Sequence, residues 1–122
     1  HYDTAVKIAP YSLEAKLGRL LPLLAQEKYK QVEREAFRIL NTDYYSYYGN
    51  LRLIHALRMQ GKINVGEKIA EKMLLRYPLD VKFLSEYGQI KFAKADSVAA
   101  KRIFNSILIL DPENVLAKAY AN

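Results

Sequence analysis

Apolar residues recur along the chain at the spacing of helices that bury one face. Two segments, 32–40 and 100–108, carry apolar side chains at i, i+4, i+7 and i+8. These sets are Val32, Ala36, Ile39 and Leu40, and then Ala100, Phe104, Ile107 and Leu108. This spacing places each set on one side of an α-helix. No segment shows a strand-like alternation or a hairpin signal of comparable strength, so the pattern predicts an all-α fold.

The breaks between helical segments repeat with a period of 34 residues. Pro78 and Pro112 are 34 residues apart, and Pro10 lies twice that distance before Pro78. The remaining position of this column, 44, holds Tyr44. Two positions after each of the four column positions stands a residue whose side-chain oxygen can cap a helix. These residues are Ser12, Ser46, Asp80 and Asn114. Because the first backbone N–H groups of a helix lack partners, we expect a helix to begin after each of them.

A second helix is predicted in each repeat. A polar break follows each first helix, at 26–30, 60–64 and 94–97. Asn64, with Glu67 three residues later, predicts a capping-box start for the helix that follows. Asp96 or Ser97 predicts the corresponding start in the next repeat. The repeating unit is therefore helix, turn, helix, turn.

This unit resembles the tetratricopeptide repeat (TPR) family. The best match is 81–114, where the family's signature positions hold Leu84, Tyr87, Gly88, Ala100, Phe104, Ile107 and Pro112. Unit 47–80 keeps Gly61, Gly66 and Pro78. Unit 13–46 departs most. Leu20 stands there where the family has Gly, and Pro22 is expected to kink or shorten the first helix.

The resemblance implies a single domain over 1–122, an all-α, right-handed α-solenoid of antiparallel helix hairpins. It divides into the tail of a preceding repeat (1–12), three repeats (13–46, 47–80 and 81–114) and the start of a further helix (115–122). The expected core anchors are Ala36, Ile39, Ala70, Met73, Leu84, Tyr87, Ala100, Phe104 and Ile107. Neither end resembles a polar capping helix, so we expect the parent protein to continue in both directions and the open ends to be capable of self-association.

The resemblance also implies a concave surface lined by the second, fifth, ninth, twelfth and thirteenth residues of each unit. In 47–80 these are Tyr48, Leu51, His55, Arg58 and Met59. In 81–114 they are Lys82, Ser85, Gln89, Phe92 and Ala93, and in 13–46 they are Glu14, Leu17, Leu21, Leu24 and Ala25. Helical spacing adds Arg52 to the line of Tyr48, His55 and Met59. Such a face suits an extended or helical peptide of acidic character. The alternative is that these are ordinary solvated helix faces, with Met59 and Phe92 packed against neighbours.

The stretch NTDYYSYYGN, residues 41–50, joins two of these repeats. Tyr44 takes the position of the turn proline, and Tyr45 and Tyr47 are expected to pack between repeats with their hydroxyls at the surface. Tyr48 belongs to the implied concave surface instead.

A catalytic or metal-binding function has little support in the composition. The chain has no cysteine, which excludes disulfides, thiolate nucleophiles and cysteine-based zinc sites. No nucleotide-binding, hydrolase or metalloprotease motif is present, and His55 has no carboxylate at i±3 or i±4 to orient it as a base. We therefore expect a non-catalytic protein-interaction scaffold without cofactor or metal.

Two other functions stay open at this point. The net charge of +6 is only a modest basic excess, so nucleic-acid binding is a minor alternative. The second is a structural spacer in a larger bacterial secretion, polysaccharide-export or envelope-assembly protein. A clamp for chaperone C-termini is disfavoured, because Leu17 and Leu21 occupy the positions where such members carry Lys and Asn. No apolar run approaches the roughly 20 residues of a membrane span, and the compartment, cytoplasmic or periplasmic, is not defined.

Overall fold

The computed structural model describes residues 13–121, except for the side chains of residues 13–17 and Arg19. The described chain consists of seven α-helices and contains no strand: α1 (Leu13–Ala25), α2 (Tyr29–Thr42), α3 (Tyr47–Met59), α4 (Ile63–Arg76), α5 (Val81–Ala93), α6 (Ser97–Leu110) and α7 (Val115–Ala121). The all-α prediction is confirmed. The predicted cap Ser12 and the predicted tail 1–12 lie outside the described residues.

The helices fall into two compact units, one ending at Gln60 and the other beginning at Gly61. The first unit contains α1, α2 and α3, and the second contains α4 to α7. Within the first unit, α2 packs against both α1 and α3. Within the second, α5 packs against α4 and α6, and α7 packs against α6. Each unit is therefore an arrangement of neighbouring antiparallel hairpins.

Side-chain caps begin three of the first helices as predicted. The Ser46 hydroxyl accepts a hydrogen bond from the Gly49 N–H at 3.1 Å. Asp80 accepts from the Phe83 N–H at 3.0 Å, and Asn114 accepts from the Ala117 N–H at 2.9 Å. In each case the acceptor lies three residues before the donor, which is the geometry of an N-cap.

The second helices begin differently from one another. Asp96 caps α6 by accepting from the Ala99 N–H at 3.1 Å, as predicted. The prediction of a capping box at Asn64 and Glu67 is wrong. α4 begins at Ile63 after Lys62, which makes no side-chain cap, so Asn64 already lies inside the helix. The Glu67 carboxylate instead forms salt bridges with the ammonium groups of Lys91 on α5 and of Lys94 just after α5.

One left-handed residue forms each turn between a first and a second helix. The φ angles are +56° at Glu27, +80° at Gly61 and +62° at Ala95. These three positions are spaced by the 34-residue period, yet only Gly61 carries the residue type that adopts this conformation without strain. Glu27 and Ala95 therefore adopt the same turn conformation as Gly61, although their residue types do not predict it.

Leu20 anchors the core of the first unit. It forms a buried cluster with Val32, Ile39 and Ala56, with Leu23, Leu24 and Tyr29 packed around it. The predicted shortening of α1 at Pro22 is wrong, since the helix runs on to Ala25 with 13 residues, the length of α3 and α5. The Pro22 carbonyl still accepts from the Gln26 N–H at 3.1 Å, which extends the helical bonding past the proline.

Phe104 occupies the centre of the second unit's core, in a cluster with Ala100, Ile107 and Ala117. A methyl group on Gly88 would lie 2.7 Å from the Phe104 ring. Only glycine therefore allows α5 to approach the ring this closely.

Seven of the nine predicted core anchors are fully or almost fully buried: Ala36, Ile39, Ala70, Met73, Ala100, Phe104 and Ile107. Leu84 and Tyr87 are only partly buried. On α5 the fully buried side chains are instead Phe83 and Ile90. Because α5 packs against helices on two sides, its buried surface is wider than the single stripe that the sequence pattern predicts.

We expect Phe104→Ala to lower the free energy of unfolding by roughly 3–5 kcal/mol, because a buried aromatic side chain leaves a cavity. Phe104→Leu keeps most of the volume and should cost about 1 kcal/mol. Phe37→Ala is the control, since Phe37 is 42 % exposed, and should cost at most about 1 kcal/mol. Urea denaturation of the three variants measures the differences. Equal losses for Phe104→Ala and Phe37→Ala would contradict the core placement.

Replacing Ala95 by glycine should stabilise the chain. Ala95→Gly removes the strain of a left-handed residue and is expected to raise the free energy of unfolding by about 0.5–1 kcal/mol. Ala99→Gly, inside α6, is the matched control and should lower it by about the same amount. Both are measured by urea denaturation, and a loss of stability in Ala95→Gly would refute the strained turn.

Candidate functional site

The first candidate face lies on α3, in the first unit. Tyr48 is 41 % exposed and Met59 is 47 % exposed. The Arg52 guanidinium lies over the Tyr48 ring, 5.4 Å from its centroid. This cation–π contact and the edge contact with the Tyr47 ring, whose centroid is 4.8 Å away, together orient the exposed Tyr48 ring. The structure thus brings together Tyr48 and Arg52, which the helical spacing had assigned to one line.

His55 and Arg58 form a second contact on the same helix. The Arg58 guanidinium donates to His55 Nδ1 at a distance of 3.2 Å. Because guanidinium has no acceptor, Nδ1 must carry a lone pair and the imidazole proton must lie on Nε2. The Tyr29 ring meets the imidazole edge to face, with centroids 5.8 Å apart.

Tyr29 was not predicted from the sequence. It is the first residue of α2, and the equivalent positions in the next two repeats hold Ile63 and Ser97. Because no aromatic residue recurs at this position of the repeat, the sequence does not indicate a role for Tyr29. Its contact with His55 becomes visible only from the packing of α2 against α3.

The α3 face carries positive charge. Residues 44–66 contain no Asp or Glu, whereas Arg52, Arg58 and Lys62 lie within this range. A chain segment with several cations and no carboxylate of its own attracts anionic groups, and the attraction weakens as salt is added. α3 thus offers cationic, aromatic and thioether side chains to a ligand.

Leu51, which the resemblance placed on the groove, is only 4 % exposed. Leu53, Ile54 and Leu57 on the same helix are also buried. Because α3 contacts both α1 and α2, more than one side of it is covered. Leu51 therefore offers almost no surface to a ligand.

The groove positions of the first repeat are only partly described. Leu21 is 55 % exposed, while Leu24 packs against the Leu20 cluster. Ala25 is exposed. The side chains of Glu14 and Leu17 lie outside the described residues.

Asn50 organises the tyrosine-rich junction before α3. It is fully buried, and its amide donates to the backbone carbonyls of Tyr44 at 3.1 Å and Ser46 at 2.7 Å. The Tyr44 and Tyr45 rings meet edge to face outside this turn. Tyr44 is 60 % exposed, and Tyr45 is 43 % exposed. A large part of both rings therefore lies at the surface.

The second candidate face lies on α5, in the second unit. Lys82 is exposed, and Ser85 and Gln89 are partly buried. The Gln89 amide donates back to the Ser85 carbonyl at 3.3 Å. These polar side chains lie on the same helix as Phe92.

Phe92 is the exposed member of an aromatic stack. Its ring is 54 % exposed and meets Tyr120 of α7 edge to face, with centroids 5.0 Å apart. Tyr120 in turn stacks on the buried Phe104 ring at 4.6 Å. Core packing therefore holds Phe92 at the surface in a fixed position.

A polar cluster joins α4 to α5. Glu67 accepts from Lys91 at 2.7 Å and from Lys94 at 2.8 Å, and Glu71 accepts from the Tyr87 hydroxyl at 2.9 Å. The hydrogen bond from Lys91, followed by that from Lys94, lowers the pKa of Glu67 below its ordinary value, while partial burial acts in the opposite direction. The same bond to Glu67 raises the pKa of Lys91. Both acidic residues of α4 are thus engaged by α5.

Two surface depressions lie away from both faces. One, of about 230 Å³, is lined in the first unit by Leu23, Gln31, Arg34, Glu35 and Arg38. The other, of about 380 Å³, is lined in the second unit by residues 76–80, the turn between α4 and α5. Neither contains a predicted groove residue.

No three His, Asp or Glu side chains of the described residues are grouped so that they could hold a metal ion. Within residues 13–121, every helix is too short or too polar to span a lipid bilayer.

No protein-family model matches the sequence, and no curated protein matches it either. Solved structures do match, and over most of the chain. The first TPR domain of Spaghetti (RPAP3), bound to the HSP90 peptide SRMEEVD, has a TM-score of 0.83 at 19% identity, covering 89% of this chain and 86% of that one. The second TPR domain of human RPAP3, in complex with the HSP70 peptide SGPTIEEVD, has a TM-score of 0.78 at 19% identity, with coverages of 87% and 88%.

A bacterial structure matches equally well. The type III secretion translocator chaperone SycD of Yersinia enterocolitica has a TM-score of 0.80 at 12% identity, covering 89% of this chain and 88% of its own. At these identities the likeness establishes the fold.

The Glu67 cluster predicts a pH-dependent contribution to stability. Glu67→Gln should lower the free energy of unfolding by roughly 0.5–2 kcal/mol at about pH 7. Because the folded pKa lies below the ordinary 4.5, this contribution is present above 4.5 and is lost as the pH falls through the lower folded value. The difference between Glu67→Gln and the unchanged chain should therefore shrink in acid.

Glu113→Gln is the matched control, since Glu113 pairs with Lys118 while its side chain is 87% exposed. It should change stability little at any pH. Urea denaturation between about pH 7 and about pH 3.5 measures both variants. A deficit in Glu67→Gln that stays constant across this range would contradict the proposed role of the ionised carboxylate.

Proposed function

We propose that this chain, which has the tetratricopeptide-repeat fold, is a non-catalytic protein-interaction domain that binds an acidic peptide segment through the face of its helix α3. The observation that carries this proposal is the α3 face, where the exposed Tyr48 and Met59 stand with Arg52 in a chain segment, residues 44–66, that contains no Asp or Glu. Two structures of the same fold hold peptides with the sequences SRMEEVD and SGPTIEEVD, each with two Glu and one Asp.

On α3, the Tyr48 ring and the Met59 thioether supply apolar contact area, and Arg52 and Arg58 supply cations for peptide carboxylates. Arg58 also holds His55 in the tautomer with its proton on Nε2. That N–H is a suitable donor to a peptide carbonyl. The His55 imidazole thus contributes a directed hydrogen bond, and the guanidinium groups contribute charge.

On α5, in the second unit, we propose a separate contact face made of Lys82, Ser85, Gln89 and Phe92. The exposed Phe92 ring offers a rigid aromatic contact because Tyr120 packs against it from within the fold. A ring held in advance loses little conformational freedom when a ligand covers it. Leu51 is left out of the proposed contacts because it is buried.

The mode of peptide binding is expected to differ from a clamp on a C-terminal carboxylate. Leu21 stands at a position where clamp-forming members carry a polar residue, and it is 55% exposed. An aliphatic side chain cannot donate a hydrogen bond to a carboxylate. We therefore propose that internal acidic side chains of the ligand, and not its free C-terminus, provide the charge.

The test begins by selecting peptides that bind the purified chain from a displayed random library. The double variant His55→Ala with Arg58→Ala should weaken binding of the selected peptides by about tenfold or more while leaving thermal unfolding nearly unchanged. Lys30→Ala with Arg34→Ala on α2 is the matched control, because both residues are exposed. Fluorescence anisotropy measures the affinities.

Three outcomes would contradict the proposal. These are selected peptides that are not enriched in Asp and Glu, an α2 variant that loses as much affinity as the α3 variant, and loss of binding when the peptide C-terminus is amidated. Tighter binding of single-stranded RNA than of any peptide, with a steep loss of affinity as salt is added, would favour the nucleic-acid alternative instead.

A further inference from the structure

The Phe92 ring on α5 is the last member of a chain of contacts that starts in the core of the second unit. A methyl group on Gly88 would lie 2.7 Å from the Phe104 ring, so this ring has no room to shift towards α5. Tyr120 of α7 stacks on Phe104, with centroids 4.6 Å apart and an interplanar angle of 13°. Tyr120 then meets Phe92 at 5.0 Å and an angle of 77°. The buried Phe104 ring therefore sets the plane of Tyr120, which borders the exposed ring.

The backbone that carries Phe92 is held by contacts other than those of α7. The Phe92 carbonyl accepts a backbone hydrogen bond at 3.0 Å from the turn that follows α5. Near it in sequence, Lys91 and Lys94 bond to the Glu67 carboxylate of α4 at 2.7 Å and 2.8 Å. These contacts do not determine the rotation of the Phe92 ring about its side-chain bonds. The contact with Tyr120 restricts this rotation.

The packing of α7 brings Tyr120 to this position. In this seven-residue helix, Ala117 is fully buried, and Leu116 and Tyr120 pack against the Phe104 cluster. A helix this short is not stable in isolation, so its order depends on the packing. When α7 opens locally, Tyr120 leaves both Phe104 and Phe92. Docking of α7 on α6 and the position of the ring on α5 are therefore linked.

We infer that Tyr120 is a positioning residue, and that a peptide placing an apolar side chain on Phe92 binds the chain with α7 docked more tightly than the chain with α7 open. This inference rests on the proposed contact face of α5. A ring held in advance gives the apolar side chain of the ligand a surface that needs no further ordering. Because the ligand favours the docked form, its binding must stabilise the docking of α7 in return. A helix outside the contact face thereby controls its affinity.

The first test uses the whole chain with isotope-labelled phenylalanine rings, and a library-selected peptide whose binding is weakened by Phe92→Ala. The chain contains four phenylalanines, so the Phe92 ring signals are identified by their loss in Phe92→Leu. Without peptide, Tyr120→Leu should move these signals towards those of free phenylalanine. It should also weaken the peptide about two- to tenfold, the range that an aromatic pair contributes. Tyr120→Phe keeps the ring and should restore both properties.

Amide hydrogen exchange measures the reciprocal effect, first in the unchanged chain. At a peptide concentration of about ten times Kd, protection of the α7 amides should rise by about tenfold. In Tyr120→Leu, at the same multiple of its own Kd, the rise should be much smaller because the contact that links the two helices is lost. Val115→Ala is the matched control in α7, since Val115 is 82% exposed, and it should behave like the unchanged chain.

The inference is overturned if the Phe92 signals do not move in Tyr120→Leu, or if this variant binds the peptide as tightly as the unchanged chain. An equal rise in α7 protection in both chains, or a Tyr120→Phe variant that behaves like Tyr120→Leu, also overturns it. If no selected peptide is weakened by Phe92→Ala, the α5 contact face is wrong and the inference fails with it. Loss of acidic peptides in the His55→Ala with Arg58→Ala variant would still support the α3 face in that case.

Discussion

A hydrogen bond from a backbone N–H to a side-chain oxygen three residues earlier determines where four of the described helices begin. Ser46, Asp80, Asp96 and Asn114 each accept such a bond. A helix start fixes the direction in which every later residue of that helix points, because the rotation per residue is constant. The cap at Ser46 thereby decides that Leu53 and Leu57 enter the core while Tyr48 and Met59 reach the surface. The candidate site is a consequence of where α3 begins.

The distribution of charge follows from the packing of the second helices. On α4 both carboxylates are held by α5, and in the neighbouring stretch 44–66 there are none at all. The excess of positive charge is therefore not spread evenly over the molecule. Arg52, Arg58 and Lys62 lie in or just after α3, which also carries aromatic and thioether groups, whereas the three cations of α4 are accompanied by Glu67 and Glu71.

Much of the fold could be predicted because capping and periodic burial are local effects. The 34-residue period, the caps at Ser46, Asp80, Asn114 and Asp96, and the buried sets around Ile39 and Phe104 follow from residues close in sequence. The TPR structures that match confirm the predicted solenoid class. The errors depend on packing between helices. Glu67 is drawn to Lys91 and Lys94 instead of forming a capping box, α1 continues past Pro22, and α5 buries Phe83 and Ile90 because it is covered on two sides.

The candidate site was less predictable than the fold for the same reason. Helical spacing alone found the line of Tyr48, Arg52 and Met59. It could not reveal that Tyr29 packs on His55, since Tyr29 belongs to another helix and has no aromatic counterpart in the other repeats. The burial of Leu51 likewise depends on how α1 and α2 cover α3.

The most direct test of the central claim is a nuclear magnetic resonance titration of the isotopically labelled chain with a peptide selected for binding. The account predicts that amide and side-chain shifts change at Tyr48, Arg52, His55 and Arg58, while those of Lys68 and Leu75 on α4 stay unchanged. Shift changes confined to α4 and α6, with none on α3, would contradict it.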